Sequence, residues 1–136
     1  MAGCGELLLK FGIPFKQVVS SAHRQPDQTV QLVKQAEKDG VKVIIAAAGM
    51  AAHLPGVAAS HTILPVIGVP MAGSALNGVD ALYSIVQMPA GIPVATVAIG
   101  SHGAKNAAIL AAEILALSDS KIKSKLEEYR KELAGK

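Results

Sequence analysis

One short segment of this chain brings together two side chains suited to acid–base catalysis and anion binding. His23 and Arg24 are adjacent in the polar segment 20–26, which follows a short apolar run at 15–20. Imidazole titrates near neutrality, so His23 is our candidate for proton transfer. The planar guanidinium of Arg24 suits a phosphate or a carboxylate. Two structural alternatives stay open: His23 ordering the loop, and Arg24 pairing at the surface with Asp27.

A second histidine lies in a segment made mostly of small residues. Segment 48–56 contains His53, and its small residues are Gly49, Ala51, Ala52 and Gly56. Glycine allows tight turning and close approach of the backbone to a ligand, and alanine leaves room for one. A structural role for His53 is the alternative. Ser74, in segment 73–78, is interpreted as a helix cap, and His102, in segment 100–103, is assigned no chemistry.

Several classes of site find no support in the sequence. It has no Gly-x-Gly-x-x-Gly segment that follows a strand and opens a helix, and no Gly-Lys-Ser/Thr phosphate loop. It has no Gly-x-Ser-x-Gly nucleophile turn, and no histidines and carboxylates at metal-ligand spacing. The pattern therefore favours proton-transfer chemistry that uses neither a metal nor a cofactor.

The elements that must position these loops alternate along the chain. Continuous apolar runs at 41–48, 64–71 and 93–100 predict strands buried on both faces of a parallel sheet, and 15–20 predicts a shorter fourth strand. Helical patterns occupy 6–11, 27–39, 77–87 and 105–117, followed by a polar helix within 118–136. This order predicts a doubly wound α/β fold, with the four loops at the carboxyl ends of the strands, where such folds bind ligands.

The start of the chain is unusual for such a fold. It opens with a helical pattern, where a strand inside the sheet is normally found. Without that strand, backbone groups would face a gap within the sheet. We therefore expect the sequence to be truncated, with its first strand missing. The predicted domains are one α/β domain at 1–117 and a C-terminal helix at 118–136 that packs on a neighbouring subunit.

Composition narrows the possible partners. Hydrophobic residues make up 51% of the chain and charged residues only 17%, so we expect part of the apolar surface to be buried between subunits. The net charge of +3 and the 3% aromatic content disfavour nucleic-acid binding. The sequence has no apolar run long enough for a membrane span, no evident signal peptide and one cysteine, Cys4. We expect a cytoplasmic protein.

Three motifs in these loops resemble the bacterial N5-carboxyaminoimidazole ribonucleotide mutase family. They are Ser-Ala-His-Arg-x-Pro at 21–26, Ala-Ala-His-Leu-Pro-Gly at 51–56, and Gly-Val-Asp-Ala-Leu-Tyr-Ser-Ile-Val-Gln-Met-Pro-x-Gly-Ile-Pro-Val at 78–94. The similarity runs from about residue 6 to residue 117. The forms of the first two motifs favour the mutase over the related animal carboxylase, which uses free CO2.

The resemblance implies a flavodoxin-like three-layer α/β/α fold and a homo-octamer with its sites at subunit contacts. It implies an isomerase of purine biosynthesis, acting on a ribonucleotide through transient CO2 release and recapture without a cofactor. His23 then shuttles the ring proton and Arg24 binds substrate. The positions that match the lining of the family's pocket are Ser21, Ala22, Gly49, Ala51, Ala52, His53 and Leu76.

The sequence also departs from the family pattern. Family members begin with a strand leading into Gly-Ser-x-Ser-Asp, whose serine and aspartate hold phosphate and ribose at a helix N-terminus. Here the first serine is Ser20 and the first aspartate is Asp27. Met50 and Asn77 stand where glycine and serine are common. The alternative hypothesis is therefore a truncated, non-catalytic or impaired oligomer of the same family.

Overall fold

The computed structural model describes residues 1–135 as three parallel strands between layers of helices. The elements in chain order are α1 (Ala2–Lys10), α2 (Pro26–Lys38), β1 (Ile44–Gly49), α3 (Leu54–Ser60), β2 (Val66–Met71), α4 (Val79–Val86), β3 (Ala95–Thr96), α5 (Gly100–Ala116) and α6 (Ser120–Ala134). The sheet order is β1-β2-β3, and both strand pairs are parallel. The predicted three-layer α/β architecture is confirmed.

Both faces of the central strand β2 are covered by apolar side chains. Ile67 and Val69 are fully buried in a core shared with α1 and α5, where alanines such as Ala107 and Ala108 allow close helix packing. On the opposite face, Val66 lies in a cluster with α2 and α3 side chains. This two-sided burial explains why the strands appear in the sequence as continuous apolar runs rather than as alternating ones.

The C-terminal helix α6 packs on helices of its own chain. Leu126 is buried in the core shared by α1 and α5, and the Tyr129 ring contacts Phe11 edge to face at a centroid distance of 5.5 Å. Arg130 donates to Glu113 of α5 at 2.8 Å. These contacts join α6 to the rest of the fold, while its predicted packing on a neighbouring subunit stays a prediction.

Two of the expected elements differ in the structure. The strand predicted at 15–20 is wrong: this segment forms no β-ladder, because no described strand lies beside it. Helix α5 begins at Gly100, five residues earlier than the helix predicted at 105–117, so segment 100–103 is its first turn and not a free loop. A Cβ on Gly103 would lie 1.6 Å from the Ala98 carbonyl oxygen, so glycine permits this close approach.

Segments 48–56 and 73–78 follow β1 and β2, as expected for loops at strand ends, whereas segment 20–26 follows no described strand. Segments 20–26 and 48–56 lie outside the sheet and lead into α2 and α3 respectively. Within residues 1–135, no helix is long and apolar enough to cross a membrane.

Candidate functional site

A cavity of about 190 Å³ lies between the two histidine-bearing segments. One wall comes from residues 20–23, and the other comes from the end of β1 and the turn into α3. The lining residues are Ser20, Ser21, Ala22, His23, Ala47, Ala48, Gly49, Ala51, His53 and Leu54. Apart from the two imidazoles, this lining carries no ionisable side chain. The cavity therefore suits a small, largely neutral reacting group.

The two imidazoles meet directly at this cavity. His23 Nε2 and His53 Nδ1 form a hydrogen bond, and the rings are nearly perpendicular, with centroids 4.7 Å apart. Such a bond needs one N–H donor and one bare nitrogen acceptor. At least one of the two rings is therefore neutral while the bond lasts.

The segment carrying His23 is tied to the start of α2. Arg24 N donates to Ser21 Oγ at 3.3 Å, and Gln25 N donates to the Ser21 carbonyl at 2.8 Å. Thr29, which is buried in α2, donates its hydroxyl to the Gln25 carbonyl at 3.0 Å and contacts Ser20 Oγ at 2.7 Å. These local bonds, and no sheet ladder, set the position of His23.

The segment carrying His53 is anchored in the apolar core. Ala52 is 1% exposed and packs with Ala81 and Ile85 of α4. His53 is the N-cap residue of α3, and its carbonyl accepts from Val57 N at 2.9 Å. The buried ring of Pro55 occupies the first turn, where a missing N–H costs nothing. The core thus fixes the direction in which His53 leaves the backbone.

Backbone strain is present in the same turn. Met50 has φ = 57° and its side chain is 63% exposed. A left-handed conformation is unfavourable for a bulky side chain. Met50 lies between Gly49 and Ala51, which both line the cavity. The turn therefore keeps Met50 in a backbone conformation that this residue type disfavours.

The structure brings together most of the residues predicted to line the site, and places three of them elsewhere. Ser21, Ala22, His23, Gly49, Ala51 and His53 share the cavity. The Ala52 side chain faces the core, and the exposed Arg24 lies beside the cavity and outside its lining. Leu76 is 62% exposed and also lies outside it. The functional roles predicted for these residues remain predictions.

Two structural alternatives can be compared with these positions. Within residues 1–135, the ion pairs are Lys10 with Glu132 and Arg130 with Glu113, so Arg24 does not pair with Asp27. Ser74 is not the cap of α4, because the N-cap residue of that helix is Gly78; its hydroxyl accepts from Leu76 N at 3.1 Å in the turn before the helix.

Four residues that line the cavity were not singled out from the sequence: Ser20, Ala48 and Leu54, which lie within the predicted loop segments 20–26 and 48–56, and Ala47, which lies outside them. Ala47 and Ala48 lie near the carboxyl end of β1, and that position was the available signal. Burial raises the pKa of the Cys4 thiol, so this cysteine in α1 stays protonated and is no nucleophile. Across residues 1–135, no three histidine, cysteine or acidic side chains are grouped as a metal site.

Comparison with known proteins gives a consistent result. The family model described as AIR carboxylase matches residues 1–136. The chain is 54% identical over 136 residues to the N5-carboxyaminoimidazole ribonucleotide mutase of Pyrococcus horikoshii, covering all of this chain and 76% of the relative. It is 52% identical over 131 residues to the protein of the same name from Escherichia coli K12, covering 96% and 78%.

A solved structure agrees with these sequence matches. The crystal structure of Treponema denticola PurE superimposes with a TM-score of 0.88 at 31% identity, covering 98% of this chain and 82% of that one.

Proposed function

This chain belongs to the AIR carboxylase family, and we propose that it is an N5-carboxyaminoimidazole ribonucleotide mutase of purine biosynthesis. The proposed product is the isomer that carries the carboxylate on ring carbon C4. Relatives of that name, at 52% and 54% identity over nearly the whole chain, support this activity. The single structural observation that carries it is the cavity shared by His23 and His53.

The proposed reaction is a decarboxylation followed by a carboxylation in one chamber. The bond between N5 and the carboxylate carbon breaks, CO2 leaves, and the amine nitrogen gains a proton. Ring carbon C4 then attacks CO2, and C4 loses its proton as the ring regains aromaticity. One proton is added and one is removed, so a single group that donates and then accepts balances the reaction.

His23 is the residue we assign to that proton transfer. Its ring lies at the cavity wall, and its hydrogen bond to His53 orients it there. A positioned acid–base group of this kind contributes about 10²–10⁴-fold to rate. We assign His53 to holding the ring of His23 in its orientation.

The neutral lining of the chamber fits the transient CO2. Ala22, Gly49 and Ala51 offer backbone and methyl groups, and CO2 has no net charge for a cation to hold. Confinement keeps CO2 near C4 and raises its effective concentration there. Arg24 is exposed beside the cavity, and we assign its guanidinium to an anionic group of the ribonucleotide.

The predicted substrate contact of Leu76 requires a site that is shared between subunits. Four exposed apolar side chains, Leu76, Val79, Tyr83 and Val86, are spaced by three, four and three residues along α4 and the turn before it. This spacing forms one helix face. We propose that this face is buried in a homo-octamer and that Leu76 contributes to a pocket at a subunit contact.

The proposed oligomeric state can be measured directly. Light scattering on the purified chain should give eight times the monomer mass, and a monomer would contradict the proposed octamer.

We propose the cytoplasm as the compartment, because a reducing environment preserves the buried free thiol of Cys4. Fractionation of cells that express this protein tests the proposed compartment directly.

The activity is tested by following formation of the C4-carboxylated ribonucleotide from the N5-carboxylated substrate. Turnover that does not depend on added bicarbonate is the expected result. The family is described as AIR carboxylase, so carboxylase activity is tested in a parallel reaction that contains the decarboxylated ribonucleotide and bicarbonate. Turnover only in that second reaction would show that the chain is a carboxylase that uses free CO2. Turnover in neither reaction would support a non-catalytic oligomer.

A further inference from the structure

The turn that joins β1 to His53 carries a large side chain on an unfavourable backbone. Met50 has φ = 57°, a left-handed conformation that brings the Cβ of any residue other than glycine too close to the following carbonyl oxygen. A glycine at this position would avoid that cost. Backbone outliers of this kind cluster at functional sites, where the surrounding structure holds them.

Packing of the Met50 side chain does not offset this cost within residues 1–135. The side chain is 63% exposed, and it belongs to none of the apolar clusters among the described residues. Ala52, two residues later, is 1% exposed and packs against α4. The turn is therefore anchored by its small residues, while its largest apolar side chain stands in solvent. A departure from local preference without a compensating contact is typical of a residue with a functional role.

The position of Met50 places it at the rim of the cavity. Its neighbours Gly49 and Ala51 both line the cavity, although Met50 itself does not. His53, three residues later, contributes one of the two imidazoles that meet there. The Met50 side chain is unbranched and has three rotatable bonds. It can therefore turn over the cavity by rotation about these bonds, without movement of the backbone.

The chemistry of the proposed substrate suits a thioether at this rim. His23 and His53 line the cavity and are both exposed, so an aromatic ring bound beside them keeps one face open to solvent. Sulfur is polarisable and makes favourable contacts with aromatic rings. It is also uncharged, like most of the cavity lining, so it would cover the ring without introducing a charge next to CO2.

We propose that Met50 is a specificity-determining residue that packs its thioether on the open face of the aminoimidazole ring and closes the cavity around the released CO2. This inference rests on the proposed function, because the ring and the CO2 are those of the proposed reaction. Met50 takes no part in proton transfer. Its contact selects a ligand with an aromatic ring and limits the escape of CO2 into solvent.

Methyl NMR tests the contact without relying on turnover. The chain has four methionines, Met1, Met50, Met71 and Met88, so methyl groups labelled with carbon-13 give few resonances, and Met50→Leu assigns the one of interest. The C4-carboxylated ribonucleotide should move the Met50 methyl upfield, since the region above an aromatic face is shielded. Met88, which lies against Gly56 of α3, should change little. Ribose 5-phosphate lacks the ring, and as the matched control ligand it should leave the Met50 resonance in place.

Three variants at position 50 separate this contact from a merely structural role. Met50→Leu keeps an apolar side chain of similar size, so its dissociation constant for the ribonucleotide should stay close to that of the unchanged chain. Met50→Ala and Met50→Gly should each weaken binding by about two- to tenfold. When the mutase reaction is run with carbon-13 bicarbonate, these two variants should also place several-fold more label in the product. The reason is that CO2 leaves an uncovered cavity and is replaced by labelled CO2 from solution.

Three results would overturn the role of Met50. They are an equal methyl shift with ribose 5-phosphate, unchanged binding and labelling in Met50→Ala, and a Met50 methyl that responds to protein dilution and not to nucleotide. The last result would place Met50 in a contact between subunits. If the Met50 methyl shifts as expected but no variant turns over substrate, the proposed function fails while the ring contact stands. A chain that binds no ribonucleotide would overturn both proposals.

Discussion

The two segments that carry the histidines are built in different ways. His53 follows a strand that is hydrogen-bonded to β2, and its neighbour Ala52 is buried against α4. His23 follows a segment without a ladder, and the bonds that position it are local ones to the first turn of α2. The same type of side chain is thus supplied once from the core and once from a surface loop.

This difference separates two ways of positioning a reactive group. The buried neighbours Ala52 and Pro55 anchor the backbone on both sides of the exposed His53, so its backbone position should survive most local changes. The position of His23 depends on a few hydrogen bonds around Ser21 and Thr29 and on its bond to His53. We infer that His53 is the fixed reference and that His23 is the partner whose placement is easier to disturb.

The largest expected effect comes from removing the imidazole of each histidine in turn. His23→Asn should lower kcat about 10²–10⁴-fold, since it removes the proposed acid–base group. His53→Asn should lower it less, because a hydrogen-bonding side chain remains to orient His23. Steady-state turnover of the ribonucleotide checks both. His61→Asn, at the end of α3, is the matched control, and equal losses in the two site variants would erase the distinction between their roles.

The next effect compares the stability of the two regions. Ile85 is 0% exposed beneath Ala52, so Ile85→Ala should lower the free energy of unfolding by about 2–5 kcal/mol. Val19 lies in segment 15–20, which forms no β-ladder, and it is 89% exposed. Val19→Ala should therefore change the free energy of unfolding by less than about 0.5 kcal/mol. Urea unfolding measures both. A cost above about 2 kcal/mol at Val19 would show that its segment is packed as tightly as the core.

A smaller effect concerns the strained turn before His53. Met50→Gly removes the Cβ that opposes the left-handed backbone at φ = 57°, and the free energy of unfolding should rise by up to about 1 kcal/mol. Met50→Ala keeps the Cβ and should not produce this gain. Thermal unfolding compares the two variants. If alanine stabilised as much as glycine, the benefit would come from losing the exposed thioether and not from relieved strain.

Much of the fold was accessible from the sequence because its strands are continuous apolar runs. Segments 41–48 and 64–71 predicted β1 and β2 within three residues at each end. Residues 15–20 show the same apolar character, yet they form no strand. A strand requires a neighbour that donates and accepts hydrogen bonds, and a local pattern carries no information on whether that neighbour is present.

The same limit explains what was and was not predictable in the site. His23 and His53 could be placed together because the apolar run before each of them predicted a parallel strand, and the carboxyl ends of such strands lie at one edge; the run before His23 forms no strand, yet the two residues still share the cavity. Their direct hydrogen bond could not be predicted, since it depends on the directions in which the two side chains leave the backbones of separate loops. The start of α5 was missed because glycine at 100 and 103 indicates a loop, whereas Gly103 is required for contact with Ala98.

The most direct test of the central claim is a titration of the imidazole resonances with the C4-carboxylated ribonucleotide, followed by NMR. If the two rings share one binding chamber, His23 and His53 should shift together with a single dissociation constant, while His61 stays unchanged. A shift at His53 with no change at His23, or two different dissociation constants, would contradict a common site and remove His23 from the proposed proton transfer.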